Sequence, residues 1–207
     1  MVERVEEENW REPFELALGM VGPEFESLKE AFFSKENNIM LLEGDIDVEY
    51  FKLLKDERHS NKKLLFNGEL YSYGGFGFLN NPVLLKFIKE RFNKLIVTVD
   101  LDAIANVKQN LEKAGYKKDV DYFTVGLDKP GYRCVEGLLP DFIRQSVNSE
   151  NNELVLALQS ENKEERKIAK DKLKQLYFEE FKKNIKYDET YFENFYVLIN
   201  KINKRLK

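Results

Sequence analysis

Five acidic residues stand just after short apolar runs. Glu43 follows Ile39–Leu42 and opens the string Glu43-Gly44-Asp45-Ile46-Asp47. Asp100 and Asp102 follow Leu95–Val99, in the string LIVTVDLDA. A spacing of two puts both side chains on one side of an extended chain. Carboxylates held together repel, and each then resists ionising. A hard divalent cation relieves that repulsion, and Mg²⁺ takes oxygen ligands. Carboxylates at two strand ends are therefore expected to converge on one or two metal ions. Each acid alone has a simpler reading. Acidic groups at helix N-termini stabilise the helix dipole by about 0.3–1 kcal/mol. Asp45 and Asp47 would serve as such caps, and Asp102 could cap a helix over 103–114. The joint arrangement, E-G-x-x-D after one strand and D-x-D after the most apolar one, favours the metal.

The elements that must position these acids follow from the pattern of apolar residues. Ile39–Leu42 and Leu95–Val99 read as buried strands, Tyr122–Val125 as a further strand, and Leu64–Phe66 as a candidate strand. Helical spacing covers Val48–Leu54, Val83–Phe92 and Ala103–Ala114. Asn81-Pro82 gives an N-cap with proline at the first helical position, and Gly115 gives a C-cap. Strands alternating with helices predict an α/β fold with a mainly parallel sheet, Rossmann-like in class. Ligands of such sheets bind at the carboxyl ends of the strands. The expected organisation is a helical N-terminal extension over 1–36, one α/β domain over 37–145 and a helical C-terminal extension over 146–207. Ser146–Asn152 reads as the linker. Residues 161–207 carry 13 basic and 9 acidic side chains, so this tail is basic within a chain of net charge −4. It reads as a solvated helix with paired charges, or as a surface meeting something anionic.

Composition excludes several kinds of chemistry. The lone histidine, His59, lies in the charged stretch KDERHSNKK and has no partner for a triad. The lone cysteine, Cys134, forms no internal disulfide or multi-cysteine zinc site, and reads as a small buried hydrophobe. No Gly-Lys pair occurs, so a Walker A loop is absent. The glycines of Tyr73-Gly74-Gly75-Phe76-Gly77 fail the dinucleotide fingerprint, because Asn80 stands at the third glycine. They remain a tight turn, or a loop offering backbone N–H groups to phosphate. No apolar run approaches the roughly 20 residues of a membrane span. The N-terminal residues resemble no secretory signal, so a cytoplasmic location and no membrane partner are expected. Trp10, Phe14, Leu16, Leu18 and Met20 read as core or interface. The aromatic residues of the tail are expected to pack its helices.

Glu43-Gly44-Asp45-Ile46-Asp47 and Asp100-Leu101-Asp102, in that order and strand context, resemble the two signatures of the TOPRIM domain over about residues 37–145. The strings EAFFSKENNIMLLEGDIDVEYF and GYRCVEGLLP are similar to those of OLD-family (overcoming lysogenization defect) nucleases. That resemblance implies a two-metal DNA nuclease using Mg²⁺ or Mn²⁺. It adds Glu136 to the metal carboxylates Glu43, Asp47, Asp100 and Asp102. It also implies a basic residue on the scissile phosphate, with Lys129 and Arg133 as candidates, and a role for Glu43 as general base or acid. Glu136 could instead open a helix over 136–146. Many OLD-like nucleases carry an ATPase on the same chain, so a separate or fused ATPase is an expected partner, and a homodimer would suit two-strand cutting. An RNA substrate, or a binding module without turnover, are the alternatives.

Overall fold

The computed structural model describes residues 11–56, 62–185 and 189–206. Trp10 and His59 lie outside the described residues. The chain divides into two compact units, Met1–Val48, Asn67–Val99 and Ala103–Phe123 forming the first, and Glu49–Phe66, Asp100–Asp102 and Thr124–Lys207 the second.

The first unit is built on a sheet. β1 (Asn38–Leu42) pairs in parallel with β2 (Glu69–Ser72) on one edge and β3 (Lys94–Asp100) on the other. β4 (Tyr122–Val125) follows β3, giving the order β2-β1-β3-β4 with all strands parallel. The α/β class read from the alternation is thus observed. β1 and β3 are apolar and almost wholly buried, as a sheet covered on both faces requires. β2 escaped the sequence reading because it is an edge strand. Its alternating residues Glu69 and Tyr71 are exposed or half-buried, so it shows no apolar run.

Helices close the unit. α1 (Glu12–Ala17) and α2 (Glu26–Phe33) are separated near Gly22-Pro23, with a 3₁₀ turn over Pro23–Phe25. Met20 is buried, whereas Phe14 and Leu16 are exposed. α3 (Asp45–Leu54) begins directly after β1. α4 (Phe76–Leu79) leads into α5 (Pro82–Arg91), where the Asn81 side chain accepts the Leu84 N–H at 3.0 Å, the predicted cap. α6 (Ile104–Lys113) ends at Ala114, and Gly115 takes the left-handed conformation at φ 80°. Leu28, Ile39, Leu41, Leu85, Val97 and Val107 belong to one apolar core.

The second unit is mainly helical. A 3₁₀ turn over Val135–Leu138 precedes α7 (Asp141–Glu150) and α8 (Asn152–Ala157). α9 (Lys163–Asn184) and α10 (Glu193–Leu206) complete it. The tail aromatics pack, as expected: the Tyr50 ring meets Phe178 edge-on at 4.9 Å, and Phe181 meets Phe192 at 5.0 Å. Three expectations fail here. Ser146–Asn152 is no linker, because α7 and α8 run through it. A helix does not start at Glu136, because Leu139, ahead of Pro140, is extended and α7 begins after the proline. Leu64–Phe66 is not a strand. Leu64 N–H donates to the Leu54 carbonyl at 2.7 Å, and Leu65 N–H to the buried Asn203 side chain at 2.9 Å. Asn203 Nδ2 in turn donates to the Lys63 carbonyl at 2.8 Å. The Leu54 carbonyl and the Asn203 side chain, not a neighbouring strand, serve this segment.

Asn203→Leu should remove the partners of two partly buried backbone groups and cost about 1 kcal/mol in urea unfolding. Burial holds the Tyr116 hydroxyl, which donates to the Leu85 carbonyl at 2.7 Å, well above the ordinary tyrosine range. The fold therefore keeps this proton longer than the unfolded chain does. Its contribution is complete below about pH 10 and is lost as pH rises beyond that. Tyr116→Phe should make the alkaline fall in stability shallower, measured by urea melts across that range.

Candidate functional site

The strand order reverses its progression across the sheet between β1 and β3. In open parallel sheets the crevice outside the carboxyl ends of those two strands is the usual ligand position. Glu43 is the residue after β1, and Asp100 is the last residue of β3. The two acidic motifs thus sit at the chain positions where such sheets carry chemistry.

In the first unit, Asp47 has a defined local role. Its Oδ2 accepts the Gly44 N–H at 3.0 Å, reaching back over the first turn of α3. Glu43 is half-buried and Asp47 is 4% exposed. The Ser72 hydroxyl donates to Asp45, and Ser72 N–H donates to the Ser27 hydroxyl at 3.2 Å. Tyr73 N–H donates to Leu42 O at 2.8 Å and Gly75 N–H to Glu43 O at 3.2 Å, tying the glycine turn to the end of β1. Gly74 and Gly75 take positive φ of 71° and 96°, which this turn requires. The Gly75 N–H that a phosphate could have claimed is thus already used. An open cleft of about 500 Å³ lies here, lined by Glu26, Glu30, Glu43, Asp45, Ser27 and Ser72 among others. Glu26 and Glu30 are the residues that sequence reasoning missed. Their only signal was a spacing of four on one helix face.

In the second unit, Asp100 is 5% and Glu136 6% exposed, whereas Asp102 is exposed. Asp102 does not cap α6: Ala103 holds that position without a side-chain bond. Asp102 N–H instead donates to the Arg133 carbonyl at 3.2 Å. Two glycines press backbone on backbone around this point. A Cβ on Gly126 would stand 2.5 Å from the Arg133 carbonyl carbon, and one on Gly137 would stand 2.0 Å from the Tyr132 oxygen. Glu136 is held between them in sequence and pairs with Lys174 at 3.5 Å. The two phosphate candidates differ in setting. Arg133 is bound to Asp128 at 2.7 Å, while the Lys129 ammonium lies 4.1 Å from the centre of the Tyr132 ring.

Cys134, read as a small buried hydrophobe, is half-buried. Its thiol is pushed far up, first by burial and then by the Glu136 carboxylate, with Asp100 adding to it. It stays protonated and is a poor nucleophile. Cys134, Glu136 and Lys174 line a second pocket of about 160 Å³, together with Arg144 and Tyr177. Among the described residues, no group of three or more His, Cys, Asp or Glu side chains is placed to hold a metal ion. No helix among them is long and apolar enough to cross a membrane.

Fold and site together describe an α/β protein with a parallel sheet and acidic strand ends. Compared with protein-family models, curated proteins and solved structures, the chain matches none.

As the chain's sole cysteine, Cys134 reports on its acidic neighbour. Glu136→Gln removes a charge that holds the thiol protonated, so alkylation of Cys134 by iodoacetamide at pH 8 should quicken. An unchanged rate, read by mass spectrometry on protein that keeps its wild-type circular dichroism, would contradict this pairing.

Proposed function

We propose that the protein is a metal-dependent nuclease that cleaves DNA phosphodiester bonds, a TOPRIM-type enzyme similar to the OLD family. The observation that carries the reading is the place of Glu43 and Asp100 at the ends of β1 and β3, the two strands flanking the reversal in the sheet.

The donor types suit the group this function needs, although no three of them are placed together among the described residues. Glu43, Asp47, Asp100, Asp102 and Glu136 offer only carboxylate oxygens, the ligands that Mg²⁺ and Mn²⁺ prefer. Three of them are nearly solvent-free, and burying carboxylates is costly without compensating positive charge. In this reading these five carboxylates would hold two Mg²⁺ or Mn²⁺ ions. When bound, such ions lower the pKa of a water and offset charge on the phosphate. Glu43, half-buried beside the open cleft, takes or returns a proton at the attacking or leaving oxygen. Lys129 or Arg133 supplies positive charge to the phosphate oxygens. Lys129 is the stronger candidate, because its ammonium lies over a ring and Arg133 is engaged by Asp128. An ATPase on a separate or continuous chain, and a second copy of this one, are the partners that such cleavage would use.

One observation favours a second reading, a binding module without turnover. Lys174 already gives Glu136 a positive partner, so that carboxylate has a structural role of its own. Cleavage of supercoiled plasmid separates the two. The wild type should nick with Mg²⁺ or Mn²⁺ and stop in EDTA. Glu43→Gln and Asp100→Asn, folded by circular dichroism, should lose cleavage by at least about 100-fold, the scale of one lost catalytic group. Cleavage that survives in both folded variants would refute the metal assignment. An inactive wild type that also binds no Mn²⁺ in titration would leave the binding module.

A further inference from the structure

The pocket of the second unit has a chemistry of its own. Lys170, Leu173, Lys174 and Tyr177 recur on α9 at intervals of three and four, so one helix face supplies one wall. Arg144 of α7 supplies another, and among the described residues Glu136 is the only acid lining it. The formal charge of the lining is therefore +3 from Arg144, Lys170 and Lys174 and −1 from Glu136, a net +2. The Arg144 guanidinium lies 3.9 Å from the Tyr132 ring centre, and its Nη2 donates to the Gly131 carbonyl at 2.8 Å. Its Nε and Nη1 are buried and meet no acceptor among the described residues. Buried donors of a charged group are costly when unmatched, and native structures leave few of them.

We propose that this pocket binds a phosphate dianion, free or as a terminal monoester. A dianion balances the net +2, and its oxygens can accept from the guanidinium and the two ammonium groups. The volume of about 160 Å³ is below the roughly 300 Å³ at which sites for drug-sized ligands begin, so the pocket takes the phosphate group and not a whole nucleotide. Free phosphate and the 5′-phosphate at a nucleic-acid strand end share this chemistry. The inference does not rest on the cleavage reading: it needs no metal, and it is tested without one.

The test is calorimetric titration of the whole chain with inorganic phosphate in EDTA. Wild type should bind saturably. Arg144→Gln, Lys170→Gln and Lys174→Gln should each bind roughly tenfold more weakly, the worth of one charge-assisted hydrogen bond. Lys201→Gln, exposed on α10, should bind as wild type does. Lys170 is exposed, so its variant carries the test if Arg144→Gln fails to fold. Bound phosphate should also slow alkylation of Cys134, which lines the same pocket. Titration with a 5′-phosphorylated oligonucleotide and its 5′-hydroxyl twin identifies the source. A preference for the first that Lys170→Gln abolishes assigns a strand end; equal affinity assigns free phosphate. No saturable phosphate binding by wild type, or equal weakening in the pocket variants and Lys201→Gln, would overturn the proposal.

Discussion

β1 has a strand on each edge and apolar packing on each face. Its backbone groups must find partners in both neighbours, because no water reaches them. Parallel pairing meets that demand only if every strand is followed by a return across the sheet. The carboxyl ends of β1, β2 and β3 therefore gather on one edge, and so do the turns that leave them. At that edge the backbone of the glycine turn is bonded to Leu42 and Glu43. Asp47 draws the start of α3 back onto Gly44. The position of Glu43 is thus a consequence of burying β1, and any use of its carboxylate depends on that burial.

A different constraint organises the second unit. Gly126 and Gly137 let the backbone at 132–134 approach more closely than any side chain would allow. That approach places Glu136 in nearly dry surroundings, where a carboxylate needs a positive partner. Lys174 of α9 supplies it. The same helix face brings Lys170 into the pocket, so the pairing that stabilises one acid leaves positive charge beyond what that acid neutralises. Structure and electrostatics are here a single arrangement. The metal reading asks Glu136 to turn toward a cation, and the Lys174 pair is the interaction it would have to share.

The parallel class, β1, β3, β4, the Asn81 cap and the Gly115 stop were legible because each rests on local chemistry: apolar runs, a capping side chain, a residue free to take positive φ. β2 was not legible, because an edge strand is half exposed and carries no apolar run. Leu64–Phe66 has such a run, yet its backbone partners lie at Leu54 and at Asn203, far along the chain. Ser146–Asn152 has the composition of a loop and still forms helix, since α7 and α8 both pack on α9. Tertiary contacts override weak propensity there.

The candidate site divides along the same line. The sequence by itself determined which acids follow which strands, since a carboxylate after an apolar run is a statement about neighbours in the chain. It also determined that the tail is basic. Only the tertiary structure decided that Glu26 and Glu30 share a cleft with Glu43, that Glu136 pairs with Lys174, and that Arg144 and α9 close one pocket. Those are contacts between residues distant in the chain. They are fixed by how helices pack, and packing is set by the summed burial of many side chains rather than by any local motif.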